Sequence, residues 1–302
     1  MSQLTRKRII QIAVETNKGT KVAGTLLLQV EDLDINPTGS YEKRPGSGKY
    51  LGNDLPGTAG EQSGEVSFTT ELLSAGSAAL NTGLVALFQA AAFKQTLEVY
   101  TPTSDSSVAE TVSIDVFEDG NKKSLAGCAG TWTIEGDVGK PAKIKWEFKG
   151  VWQPTVAAAL PTVTLISTLP MKMTAFTLDG DPVGISKYAL AAGAEVAYKK
   201  DGVATGVVNG IVVQSDPELS IDPEDQLVSA YDFDGIRLAG TEAAVVMTFS
   251  DGTYTATITL AKVNTKDLKG ADRDGVKTYD WTGQVNNSAG DDAISIEMGA
   301  AA

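Results

Sequence analysis

Ala142-Lys-Ile-Lys-Trp-Glu-Phe-Lys-Gly150 decides the fold class. Ile144, Trp146 and Phe148 fall on one face of an extended chain, and Lys143, Lys145, Glu147 and Lys149 on the other. A period of two with one apolar and one charged face predicts an antiparallel strand that is wet on one side. Just upstream, Thr111-Val-Ser-Ile-Asp-Val-Phe117 alternates as well, and Asp119-Gly120-Asn121 supplies a hairpin turn. Lys122-Lys-Ser-Leu125 and Gly130-Thr-Trp-Thr-Ile-Glu135 read as further strands, closed by a turn at Gly136-Asp-Val-Gly139.

The pattern returns in the second half. Gly64-Glu-Val-Ser-Phe-Thr-Thr-Glu71-Leu72, the Glu118-Asp-Gly120 turn and Lys145-Trp-Glu-Phe-Lys-Gly150 match three later segments in order. Those are Gly210-Ile-Val-Val-Gln-Ser-Asp-Pro-Glu218-Leu219, Ser250-Asp-Gly252 and Lys277-Thr-Tyr-Asp-Trp-Thr-Gly283. Turn glycine to final glycine spans 30 residues in the first half (150 − 120) and 31 in the second (283 − 252). Leu72 to Gly120 spans 48 residues and Leu219 to Gly252 only 33, so the first unit carries an insertion. Two similar β units in one chain point to a building block, because a repeated surface makes repeated contacts.

Around these units the reading is mostly β. Arg8–Val14 and Lys21–Val30 are extended apolar runs, and residues 36–63 form a long Gly- and Pro-rich loop. Residues 77–93 predict the best helix, with Ser77 as its N-cap. Leu80, Leu84, Leu87, Phe88 and Ala91 share one face of it, to lie on a sheet. Leu97-Glu-Val-Tyr100 resumes the strands and ends at Pro102. Proline-bounded residues 154–164 read as a linker between a domain at 1–153 and a second β-rich domain at 165–302. In the second domain Met171–Leu178, Val207–Val213, Ala243–Phe249, Thr253–Leu260 and Lys277–Gly283 read as strands. No clear helix is visible between Leu219 and Ala243.

Composition narrows the function. The chain has 302 residues, 42% apolar content, no histidine, one cysteine and a net charge of −13. Without histidine there is no His-containing triad or zinc site, which points away from an enzyme. A charge of −13 argues against a general grip on nucleic acid. Cys128, in Ala126-Gly-Cys-Ala-Gly130, reads as a packed thiol rather than a nucleophile. The basic N-terminus is followed by too short an apolar run for a signal peptide, and no stretch is long enough for a membrane span. The expected location is therefore the cytoplasm or a particle assembled there.

No site motif is complete. Asp216, Glu218, Asp222, Glu224 and Asp225 cluster in sequence, but two prolines and the lack of a glycine break the calcium-loop pattern. Asp232-Phe-Asp-Gly235 and Asp272-Arg-Asp-Gly275 read as turns. Gly46-Ser-Gly-Lys49 lacks phosphate-loop spacing. Trp132, Trp146, Trp152 and Trp281 read as core or interface anchors. No catalytic residue, cofactor or metal ligand is expected.

The first half resembles the tail tube proteins of tailed bacteriophages of the siphovirus type. The resemblance rests on Gly64–Leu72, the Leu80–Phe93 helix, the Val99-Tyr-Thr-Pro102 ending and the block from Phe117 through Leu125-Ala-Gly-Cys-Ala-Gly-Thr131 to Gly139–Gly150. It covers roughly residues 60–155. It implies a mainly β fold, a β-sandwich or half-barrel with one flanking helix, duplicated here in one chain. It implies a virion structural protein whose rings stack into a tube for DNA ejection. Rings would form from three chains as pseudo-hexamers, or alternatively from six chains. Tail tip, terminator and tape-measure proteins would be partners, DNA would pass without sequence-specific binding, and no membrane would be bound. The long loop would contact the next ring through Tyr41, Glu42, Lys43, Arg44, Lys49, Tyr50 and Asp54. An acidic bore would repel phosphate and let DNA slide. The competing readings are a carbohydrate- or cell-surface-binding β-sandwich and another tail protein such as a tip or terminator subunit.

Overall fold

The computed structural model describes residues 7–46, 51, 55–163 and 167–301. The fold is mainly β, with large antiparallel sheets and two short helices. The first half contains β1 (Arg8–Val14), β2 (Leu26–Leu28), β3 (Glu31–Pro37), β4 (Tyr41–Glu42), β5 (Thr58–Ala59), β6 (Ser63–Glu71), β7 (Ser74–Ser77) and β8 (Ala79–Leu80). Helix α1 (Thr82–Ala90) follows, then β9 (Phe93–Thr96), β10 (Val99–Pro102), β11 (Val112–Glu118), β12 (Asn121–Asp137) and β13 (Lys143–Ala157). The second half contains β14 (Lys172–Leu178), β15 (Asp181–Pro182), β16 (Lys187–Ala191), β17 (Ala194–Lys200), β18 (Val207–Ser215) and β19 (Glu218–Ile221). It ends with α2 (Phe233–Ala239), β20 (Glu242–Ser250), β21 (Tyr254–Arg273), β22 (Val276–Val285) and β23 (Ser295–Ala300).

Each half lays its strands side by side in the same order. The first runs β1–β11–β12–β13–β6–β3, all antiparallel. The second runs β14–β20–β21–β22–β19–β16, also all antiparallel. A hairpin arm interrupts each at the same point, β4–β5 after β3 and β17–β18 after β16. A helix precedes the long meander in each. Even an irregularity repeats. Val112 pairs Cys128 and Ile114 pairs Leu125, while Ala243 pairs Val263 and Val245 pairs Leu260, so one residue opposes two at a bulge in both halves.

Strand register moves the correspondence read from sequence. Trp146 stands opposite Phe68, and Trp281 opposite Ile221. Glu65-Val-Ser-Phe68 therefore occupies the positions of Glu218-Leu-Ser-Ile221, and Glu71-Leu72 does not match Glu218-Leu219. Trp146 Nε1 donates to Thr70 Oγ1 (2.9 Å) and Trp281 Nε1 to Thr265 Oγ1 (3.0 Å), so these two matched indoles each keep a polar partner.

The halves share one hydrophobic core and one sheet. β12 pairs β16 and β10 pairs β23, each linking the first half to the second. The expected linker is shorter than 154–164, because Pro154–Ala157 still belong to β13, whose end pairs with Asn121 and Lys122. Beyond it, Pro170 bridges to Leu73 and Lys172 to Pro141, so the chain re-enters the sheet beside the first half. Leu165, where the second domain was to begin, lies outside the described residues.

Both helices depart from expectation. α1 is shorter than 77–93 and is capped by Asn81, whose side chain accepts from Gly83 N–H (3.0 Å). Ser77 and Leu80 lie on β7 and β8 instead, because Gly76 adopts a positive φ of 77° and turns the chain into a hairpin. At the far end Ala92 takes a φ of 60°, which stops the helix before Phe93. α2 fills the stretch where no helix was visible. It is capped by Asp232, accepting from Gly235 N–H (2.8 Å), and closed by Gly240 at φ 64°. Asp232-Phe-Asp-Gly235 is thus a helix start rather than a free turn.

Candidate assembly site

Leu84, Leu87 and Phe88 of α1 and Leu80 of β8 are all at most 1% exposed. Phe88 carries the packing. Its ring meets Trp146 (5.0 Å, 72°) and Trp132 (5.4 Å, 80°) edge-on and also contacts Phe93 and Tyr100. Trp132, Trp146 and Trp281 are buried and Trp152 is half-buried.

The long arm is exposed. Tyr41 and Glu42 form β4, paired with Ala59 and Thr58, and Lys43 and Arg44 follow in coil at the surface. Tyr41 is 66% exposed. Lys49, Tyr50 and Asp54 lie outside the described residues. The root of the arm is held by Thr38 N–H to Ser63 O (2.9 Å) and Ser40 N–H to Glu61 O (3.1 Å). It leans on the second arm through Gln62 N–H to Thr205 O (3.0 Å) and a Lys200–Glu61 ion pair.

That second arm lies across the first half. Ala194 N–H donates to Thr131 Oγ1 (3.1 Å) and Tyr198 OH to Gly64 O (3.2 Å). A Cβ at Gly210 would come within 2.5 Å of Lys149 O, and one at Gly127 within 2.7 Å of Asn209. The small-residue run Leu125–Gly130 is therefore a seat for β18, inside one continuous strand rather than between two. Cys128 is fully buried there, and burial pushes its thiol well above the usual range. Ellman's reagent is expected to find no thiol in the native protein at pH 8 and one after denaturation. Fast reaction of the native protein would contradict the packed seat.

Two buried carboxylates tie the N-terminal segment to the meander. Glu15 is 1% exposed and accepts four hydrogen bonds, from Gly19 N–H (2.7 Å), Gly127 N–H (2.7 Å), Thr111 Oγ1 (2.8 Å) and Ser113 Oγ (2.6 Å). Asp115 is also 1% exposed. Burial alone would raise its pKa, but Ser124 Oγ (2.6 Å), Gly24 N–H (3.1 Å) and Lys21 Nζ (3.1 Å) outweigh that and hold it below the usual carboxylate value. A depressed folded pKa gives stability above the unfolded value, about 3.9, and loses it as pH falls through the folded value. Asp115→Asn is expected to cost about 2 kcal/mol at pH 7. The gap from wild type in thermal midpoint should narrow below about pH 4. A gap that stays constant down to pH 2.5 would contradict this.

The acidic cluster is internally paired. Asp222 accepts from Ser186 and Lys187 N–H (2.7 Å each) and from Arg273 (3.1 Å), which also pairs Glu224. Asp225 pairs Lys277, and Glu218 pairs Lys266. Asp272 accepts from Gly275 N–H (3.2 Å) in the β21–β22 turn. Among the described residues no group of three or more acidic, cysteine or histidine side chains is arranged to hold a metal. No described helix is long and apolar enough to cross a membrane.

Sequence reading missed the sheet edges. β3 pairs only with β6, and residues 267–273 of β21 pair only with β22, among the described residues. Their outer edges carry no strand partner among the described residues. No protein-family model and no curated protein matches this chain.

Proposed function

We propose that this chain is a structural virion protein. It polymerises into stacked rings that form the tail tube of a bacteriophage, the channel through which DNA is ejected. The observation that carries the reading is the repeated strand order with its repeated bulge. A chain holding two equivalent β units forms a ring of six units from three copies, and six strand-paired units leave no open edge to aggregate. The net charge of −13 fits a bore that repels phosphate, so DNA passes without being held. Tail tip, terminator and tape-measure proteins are the other partners of this reading, and the virion tail is its location.

The exposed arm makes the contact to the next ring. Deleting residues 41–60 is expected to leave a folded protein, judged by an unchanged cooperative melt, that no longer stacks. Tubes of normal length from that variant would refute the role of the arm. A carbohydrate-binding sandwich would need a row of exposed aromatics. Among the described residues Tyr41 is the only exposed aromatic, which gives that reading little to stand on.

A further inference from the structure

The two halves of the chain are joined by a strand pair that has an unfilled counterpart. Within the chain, the end of β12 lies against β16, with Thr133 opposite Ala191, Ile134 opposite Leu190 and Glu135 opposite Ala189. This pairing continues the side of β12 that β11 occupies nearer the hairpin, since β13 runs along the other side.

Strand register assigns the counterparts of both partners. Ile35 faces Val66 as Leu190 faces Leu219, and Val66 and Leu219 are matched positions. Ile35 in β3 therefore corresponds to Leu190 in β16. Likewise Ile144 pairs Ile134, and Tyr279, two residues before Trp281 as Ile144 is before Trp146, pairs Gly270. Gly270 in β21 therefore corresponds to Ile134 in β12.

Gly270 is exposed where Ile134 is covered, and the residues either side of Ile35 are exposed, although Ile35 itself faces the core at 4%. Ile134 and Leu190 are at most 1% exposed. Lys269, Gly270, Asp34 and Asn36 are exposed, and a Cβ on Gly270 would meet no atom within 4 Å. β20 pairs β21 only as far as Asn264, so no strand lies along the side of β21 beyond it among the described residues. The outer side of β3 likewise carries no strand among the described residues, and of these only the Arg8 guanidinium reaches a carbonyl there, that of Leu33 (2.9 Å). An unpaired strand edge is a template for another strand. The arms repeat the asymmetry, since β17–β18 after β16 lies on β12 and β13, while β4–β5 after β3 is exposed.

We infer that β21 of one copy pairs antiparallel with β3 of the next copy, with Lys269 opposite Asn36, Gly270 opposite Ile35 and Ala271 opposite Asp34. This repeats between chains the junction that β12 and β16 make within one. The interface is head-to-tail, so each copy offers both edges and successive copies close a ring rather than a two-fold dimer. The match ends at the bulge around Asp32, whose φ is 50°. The inference rests on the ring-forming reading above and supplies its lateral contact.

Cysteine pairing tests it. Directly opposed residues on antiparallel strands bring their Cβ atoms to about 4.5–5.5 Å, from which a small backbone adjustment reaches the roughly 3.5–4.5 Å of a disulfide. The assembled full chain carrying both Asp34→Cys and Ala271→Cys is oxidised and run without reductant. A ladder of covalent multimers is expected, and each single variant alone should give none. Glu135→Cys with Ala189→Cys is the internal control and should close within the monomer. Pairing of Asp34→Cys with Lys269→Cys instead would overturn the register. Stacked rings that form normally but give no ladder would overturn this interface and leave the tube reading standing. A closed ladder without any stacking would support the interface and count against the tube. A protein monomeric at every concentration would overturn both.

Discussion

Glu15→Ala is expected to lower stability by about 4 kcal/mol, read as the shift of the urea midpoint at pH 7. The carboxylate is the sole acceptor shown for Gly19 N–H and Gly127 N–H, and it also holds the hydroxyls of Thr111 and Ser113. The hydroxyls can rotate to other acceptors, but the two backbone donors cannot. Each donor left buried and unsatisfied costs about 1–3 kcal/mol. Gly127 adds to the effect because it sits at φ 62° at the β12 bulge, where β18 lies on it. Losing its anchor loosens the seat of the second arm as well as the N-terminal segment. Glu15→Gln keeps one acceptor oxygen and turns an NH₂ toward a donor, so about half the loss is expected. A cost below about 1 kcal/mol for the alanine variant would show that the carboxylate organises nothing.

Phe88→Ala is expected to cost a similar amount, about 4 kcal/mol, through a different cause. The ring is fully buried at the meeting point of Trp132, Trp146, Phe93 and Tyr100. Truncation loses its transfer energy and leaves a cavity that two rigid indoles cannot fill. Its two edge-on contacts add about 0.5–1.5 kcal/mol each beyond area burial. Phe88→Leu keeps much of the volume and is expected to lose less than half as much. Equal losses in the two variants would mean that ring geometry, rather than volume, carries the site. A negligible loss in both would contradict the packing of α1 on the sheet.

Much of the fold was legible because alternation is a direct consequence of the pleat. Ile144, Trp146 and Phe148 lie inward on β13, and Arg8–Val14 is β1 as read. The strands that escaped reading are those whose neighbours are not in water on one side. Leu125–Gly130 looks like a loop because glycine and alanine there make room for β18. Lys187–Ala191 and Glu218–Ile221 are short and lie between two other strands, so composition alone gives little alternation to see. α2 was hidden because its seven residues include Gly235 and bury only Phe233, too few for an amphipathic stripe.

The proposed assembly surface was legible only in part. The arm declared itself through its glycines and prolines, and Tyr41 through Arg44 are at the surface. The edges of β3 and β21 carried no signal, since an unpaired edge is a property of what neighbours a strand rather than of its own residues. Only the strand pairing of the folded chain separates Gly270, with a strand on one side, from Ile134, with a strand on each. The duplicated sequence pattern was visible, but its register needed Trp146 and Trp281 to be placed against Phe68 and Ile221.

The most direct test is electron microscopy of the purified full chain, with light scattering on the same sample to fix its mass. The account predicts rings or hollow tubes with three chains, and so six equivalent units, in each layer. Six chains per layer would keep the tube and reject the ring of two units per chain. Monomers at every concentration, with no rings on the grid, would contradict the account.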